Sequence, residues 1–161
     1  MIKSNNQVIK QAETAAALKA TERINKVFLY LLSNSQENET WKEIPWADSY
    51  YWISDKGRVL SLCGSEPIIL TPFPCNGYLC VDLYGHYRRI NRLVAQAFIE
   101  NPEKKPIAHH KNHNKSENAA ENLAWATHSE NTIAYYENKR KREEAVKPAA
   151  GDDTELLLSS V

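Results

Sequence analysis

Cysteine is scarce in this 161-residue chain: Cys63, Cys75 and Cys80 are an odd number and nowhere form a Cys-x-x-Cys spacing. That argues against a disulfide framework and for reduced thiols in a cytosolic protein. Long apolar runs are lacking too, since the only sustained one, Val27 to Leu32 (VFLYLL), is far too short to span a bilayer. The opening MIKSNNQ has none of the charged-then-apolar order of a signal peptide. A cytoplasmic setting without a membrane partner is therefore expected. Repeats and collagen- or mucin-like bias are absent. The length allows one compact domain plus an appendage, and is too short for two ordinary domains.

Net charge is also absent, with 20 Lys and Arg against 20 Asp and Glu, but the zero hides a segregation. Residues 76–142 hold 11 basic against 7 acidic residues, whereas residues 143–161 hold 1 against 5. The basic stretch ends in Lys139-Arg140-Lys141-Arg142, and a local basic surface is what a polyphosphate partner requires. The acidic segment after Lys147-Pro148 lacks the composition to fold alone and is expected to be a disordered tail, residues 143–161.

Periodicity divides the remainder. Leu18, Ile24, Val27, Phe28 and Leu31 recur at helical steps, so residues 7–33 are expected to form a helix. Its narrow apolar stripe would dock on the body of the protein, on a second copy or on a partner protein. The polar SNSQENET, residues 33–40, reads as a linker. From Trp41 short apolar segments alternate with turn signals such as Asp55-Lys56-Gly57 and Asn76-Gly77, which predicts a small antiparallel sheet over residues 52–90. The aromatic residues at 41–52 read as core packing. Leu93, Val94, Ala97 and Phe98 predict a helix ended before Pro102. The fold class is thus α+β, with residues 1–40 as helix and linker, 41–100 as a sheet-plus-helix module, and 101–142 as a third unit.

That third unit carries the chemistry. AHHKNHNKSENAAENLAWATHSEN, residues 108–131, reads as a strand ending at His110, a polar loop, a strand Leu123 to Ala126, and a helix started by the capping pair Thr127 and Glu130. Histidine titrates near neutrality and can take a proton from water, which suits His110. His109 and Asn131 are neutral donors able to hold one divalent ion at nearly full charge, with Asn131 at a helix start whose dipole also favours an anion. Asn122 suits a supporting role, bonding the loop and fixing a ring above it. Adjacent strand residues face opposite ways, so both histidines address one site only if the strand ends or distorts there. His113 and His128 belong to no such pattern. Arg88, Arg89 and Arg92 flank a strand-to-helix junction and, with Lys111, Lys115, Lys139 and Arg140, are candidate phosphate contacts.

These residues resemble the HNH nuclease family, built on the ββα-metal motif, and in particular its phage and intron-encoded homing endonucleases. The likeness rests on His109-His110, the loop Asn112 to Lys115, Asn122-Leu123 and Glu130-Asn131. Upstream, Trp41 to Pro45, Tyr51 to Leu62, Gly77-Tyr78 and Arg92 to Phe98 resemble the small DNA-binding module that precedes the motif in these enzymes. Together they cover about residues 41–138. The resemblance implies a ββα-metal motif at 101–142 and cleavage of double-stranded DNA with Mg²⁺, Mn²⁺ or another divalent ion. It implies His110 as general base, His109 and Asn131 as metal ligands, Asn122 as the structural asparagine, and a bacterial or phage-infected cell as the setting. His109 stands where many relatives carry Asp or Asn, and Asn91 where His is frequent. Two rivals are a DNA-binding protein that keeps the fold without cleavage and a partner-binding protein acting through the first helix.

Overall fold

Proline decides where the expected single sheet divides. A computed structural model describes residues 2–146. In it the segment read as one sheet forms two. The first has strand order β1 (Trp41–Glu43), β2 (Tyr51–Ser54), β3 (Val59–Ser61), β4 (Ile68–Ile69), and the second β5 (Phe73–Cys75), β6 (Tyr78–Leu83), β7 (His86–Arg89), all antiparallel. Pro72 and Pro74 fall at the break, and a residue without a backbone N–H cannot continue an interior ladder. Pro74 is instead on β5, an edge strand, opposite Leu79.

Two tight turns build the second sheet. Asn76 (φ +51°) and Gly77 (φ +77°) join β5 to β6, as the Asn-Gly pair predicts, and Tyr84 (φ +55°) and Gly85 (φ +77°) join β6 to β7. Helix α2 (Ile90–Phe98) follows directly and buries Ile90, Leu93 and Val94 against Ile53, Val59 and Leu83. Leu123 belongs to the same core, so the two halves of the chain share one apolar interior. Burying a side chain of this size stabilises the fold by about 1.5–3 kcal/mol.

The third unit is a hairpin of β8 (Ile107–His110) and β9 (Leu123–Ala126), linked by the polar loop and a short 3₁₀ turn at Ala120–Asn122, followed by α3 (His128–Val146). The capping box forms as read: Glu130 N–H donates to Thr127 Oγ1 at 3.2 Å and Thr127 N–H to Glu130 Oε2 at 2.7 Å. Helix α3 continues beyond the Arg142 expected as its end, into the stretch read as acidic tail; residues 147–161 of that tail lie outside the described residues.

Helix α1 (Ile2–Asn34) is longer than expected, and only part of its stripe docks on the body of the protein. Val27 is buried with Leu60 and Leu62, and Tyr30 and Leu31 pack beside it, but Leu18, Ile24 and Phe28 stay exposed. The contact face lies instead along Arg23, Val27 and Tyr30, with the Arg23 guanidinium 4.4 Å from the Tyr50 ring centroid. The docking strip is therefore narrow. Among the described residues no helix is long and apolar enough to cross a membrane.

Candidate active site

Strand β8 ends at His110, and this end is where one cavity can reach both faces of the strand. Along Ile107–His110 burial alternates, with His109 half-buried and His110 buried. His109 turns toward α3, where its Nδ1 lies 2.9 Å from Asn131 Oδ1. His110 turns toward the loop, where its Nε2 lies 3.1 Å from Asn118 Oδ1. A cavity of about 390 Å³ is lined by both histidines together with Tyr78, His113, Lys115 and Asn131. The opposed directions of adjacent strand residues are thus reconciled by the strand's termination.

Asn118, not Asn122, holds the His110 ring. The Asn118 amide is oriented by its Nδ2, which donates to Ser116 O at 3.2 Å, so Oδ1 faces the imidazole. An amide oxygen only accepts, so Nε2 carries the proton and Nδ1 keeps its lone pair. Burial pushes the His110 pKa below the usual 6.5, with the nearby His109 and Lys115 adding to that and the Asn118 bond opposing it. Asn118 is itself buried. It rests on the turn between β2 and β3: a β-carbon on Gly57 (φ +82°) would come within 2.9 Å of Asn118 Cβ. Ala120 N–H also donates to Asp55 O at 2.7 Å. The upstream module is thus the floor of the polar loop between β8 and β9.

Asn122 is a loop clip and does not reach the cavity. Its Nδ2 donates to Asn112 Oδ1 at 2.9 Å and Glu117 O at 2.8 Å, while its Oδ1 accepts from Asn112 N–H at 3.1 Å. Asn91, on α2, is buried and donates from Nδ2 to Ala108 O at 2.9 Å, fixing the backbone one residue before His109. Asn131 is fixed by the helix start. Glu130 beside it bonds Lys105 at 2.9 Å, and the Lys105 ammonium first, then the Thr127 backbone, lower its carboxyl to about 2.

The residues read as phosphate contacts divide. Lys115 lines the cavity, and its Nζ lies 4.5 Å from the Tyr78 ring centroid; the Arg89 guanidinium lies 4.4 Å from the same ring. Arg88 and Arg92 line an adjoining groove with Gln96 and Trp46. Trp46 is exposed under the Arg88 guanidinium, a departure from the expected core packing. Arg92 is partly engaged, donating to Pro106 O at 2.6 Å. Lys111 closes the loop by donating to Glu121 O at 2.8 Å. Lys139 and Arg140 do not line the cavity, whereas Asn138 and Arg142 do. Helical phase explains this: Tyr135, Asn138 and Arg142 follow Asn131 at steps of four, three and four residues.

His113 also lines the cavity, although no sequence pattern recruited it. Its ring centroid lies 5.3 Å from that of His109, and burial first, then His109, Lys141 and Arg142, lower its pKa. Among the described residues no three His, Cys, Asp or Glu side chains are spaced to hold an ion, so an ion here would complete its shell with other oxygens, an amide or water among them. His109 and Asn131 fit that need. Without an ion the two share a hydrogen bond, His109 Nδ1–H donating to Asn131 Oδ1 at 2.9 Å, and an ion held between them would take the place of that proton.

A strand pair and helix that present paired histidines and a helix-start asparagine to one basic cavity have the form of a ββα-metal motif. Residues 92–133 match the model of the HNH endonuclease family, and residues 39–84 match the NUMOD4 motif. The matched segments place an HNH endonuclease domain at residues 92–133, preceded by a NUMOD4 motif. It is 38% identical over 105 residues to an uncharacterised HNH endonuclease, L247, of Acanthamoeba polyphaga mimivirus, covering 60% of this chain and 26% of that protein. It is 33% identical over 91 residues to DNA endonuclease I-HmuI of Bacillus phage SP01, covering 54% of this chain and 52% of that enzyme. The chain thus spans about a quarter to about half of the curated relatives it matches. A solved structure concerning DNA binding and cleavage by the HNH homing endonuclease I-HmuI superposes with a TM-score of 0.53 at 27% identity, covering 66% of this chain and 65% of that one.

Proposed function

We propose that the chain is a divalent-metal-dependent DNA endonuclease that hydrolyses phosphodiester bonds, by nicking or by double-strand cleavage. The observation that carries this reading is the arrangement of His110, tethered through Nε2 by Asn118, beside the His109–Asn131 pair in one cavity. His110 Nδ1 is the atom that takes a proton from the attacking water, and the buried ring stays neutral at ordinary pH because its pKa is lowered. His109 Nδ1, on giving up the proton it shares with Asn131, and Asn131 Oδ1 would hold the ion, which would supply positive charge to the phosphate and the leaving oxygen. Lys115, Arg89 and Arg142 draw the DNA backbone to the cavity, and Arg88 and Arg92 extend that basic track along β7 and α2. The solved relative's subject, DNA binding and cleavage, supports DNA as the partner.

Incubation with supercoiled plasmid in Mg²⁺, Mn²⁺ and EDTA tests the reading. Nicked or linear product in the metal lanes alone is expected. Saturable plasmid binding without product in any lane would favour instead a DNA-binding protein that keeps the fold without cleavage.

A second reading stands beside the first and concerns α1, which precedes both matched segments. Leu18, Ile24, Phe28, Leu29 and Leu32 are large apolar side chains left exposed on it. Stacked on a second copy they would bury roughly 1,200 Å² in total, the lower end of what a specific interface covers. Association of two copies through α1 is therefore proposed, with cleavage still performed at each cavity.

A further inference from the structure

His113 occupies a backbone position that does not favour it. Its φ is +60°, in the left-handed region where a β-carbon crowds the following carbonyl and glycine or asparagine is usual. Asparagines flank it on both sides, at Asn112 and Asn114. The turn is tied to the catalytic strand, since His113 N–H donates to His110 O at 3.0 Å. This conformation brings the imidazole into the cavity that His109 and Asn131 line, with ring planes of the two histidines at 80°.

We propose that His113 is a third protein donor to the ion held by His109 and Asn131, and that it moves the site's preference from magnesium toward nitrogen-seeking transition ions. The inference rests on the reading of His109 and Asn131 as the metal pair. An imidazole nitrogen about 2.1 Å from an ion sets its ring centroid about 3.2 Å from that ion. Two such rings at about 90–110° then have centroids about 4.6–5.3 Å apart. The observed separation is 5.3 Å. His110 is not counted as a donor, because its Nε2 is held by Asn118 and its Nδ1 is the atom assigned to accept the proton of water. The donor set becomes two imidazoles and one amide oxygen. Magnesium favours oxygen ligands and retained water, whereas imidazole suits the later first-row ions.

Calorimetric titration of the full chain with CoCl₂ and with MgCl₂ tests this, together with the visible absorption of bound Co²⁺. His113→Gly relieves the left-handed strain and so keeps the loop, which its metal-free melting temperature verifies; His113→Asn tolerates the same backbone and offers an oxygen in place of the nitrogen. The wild type should bind Co²⁺ more tightly than Mg²⁺. His113→Gly should weaken Co²⁺ binding by about tenfold or more and alter its visible spectrum, with Mg²⁺ binding changed only slightly. His113→Asn should leave Co²⁺ binding weakened while keeping or raising Mg²⁺ binding. Wild-type Co²⁺ affinity and spectrum in His113→Gly would overturn the third donor while leaving the metal pair intact. Co²⁺ binding unchanged in His109→Ala, or absent from the wild type, would overturn both.

Discussion

Asn118 Oδ1 lies 3.1 Å from His110 Nε2, and this one contact fixes which imidazole nitrogen is left to accept a proton. Asn118→Ala removes the acceptor and frees the ring to rotate and exchange tautomers. Cleavage should fall by about 10–100-fold, with plasmid affinity in a filter-binding assay unchanged. An unaltered cleavage rate would show that the ring needs no such tether.

Gly57 carries that tether from the upstream module. A methyl at this position meets Asn118 Cβ at 2.9 Å, on a backbone whose φ of +82° already disfavours a side chain. Gly57→Ala should therefore destabilise the fold by about 1–3 kcal/mol and slow cleavage at temperatures where the protein remains folded. Thermal melting and single-turnover rates measure the two effects separately. Loss of stability with a full cleavage rate would show that Asn118 can shift without disturbing His110.

Acid should loosen α1 through Glu39. Burial raises the Glu39 pKa, but the Arg58 hydrogen bonds, the Gln36 N–H and Ser54 outweigh it, and the net position is below the ordinary 4.5. A carboxyl lowered on folding contributes stability that is full above about pH 4.5 and is lost as pH falls toward its folded value. Arg58 also donates to Asn34 O at 2.8 Å, at the end of α1. Glu39→Gln should flatten the acid limb of melting temperature against pH relative to the wild type. Parallel acid limbs would assign that limb to other groups.

The exposed side chains of α1 predict an association that light scattering can weigh. At tens of micromolar the full chain should have the mass of two copies, and Phe28→Glu, which places a charge among Leu32, Ile24 and Leu29, should give the mass of one. A wild type that already scatters as one copy contradicts the pairing.

What was legible in the sequence followed from local rules. Thr127 and Glu130 announced a capping box, Asn76-Gly77 a hairpin turn, and β9 emerged at Leu123–Ala126 as read. What was not legible depended on long-range placement. Nothing local separates Asn118 from Asn112 or Asn114; only Gly57 and His110, brought from elsewhere, make it the buried one. His113 was hidden because a left-handed turn, not a periodic element, aims it at the cavity. Arg142 was legible and missed, since counting helical steps from Asn131 selects it over Lys139 and Arg140. The exposed face of α1 was not legible because only Val27, with Tyr30 and Leu31 beside it, meets the first sheet, a placement no helical pattern reveals.

The account stands most directly on His110. Supercoiled plasmid should be cut by the wild type in Mn²⁺ or Mg²⁺ and left intact in EDTA. His110→Ala should lose cutting by about 100-fold or more while binding plasmid with wild-type affinity. Equal cutting by the variant and the wild type would contradict the assignment of the general base, and with it the mechanism proposed for this cavity.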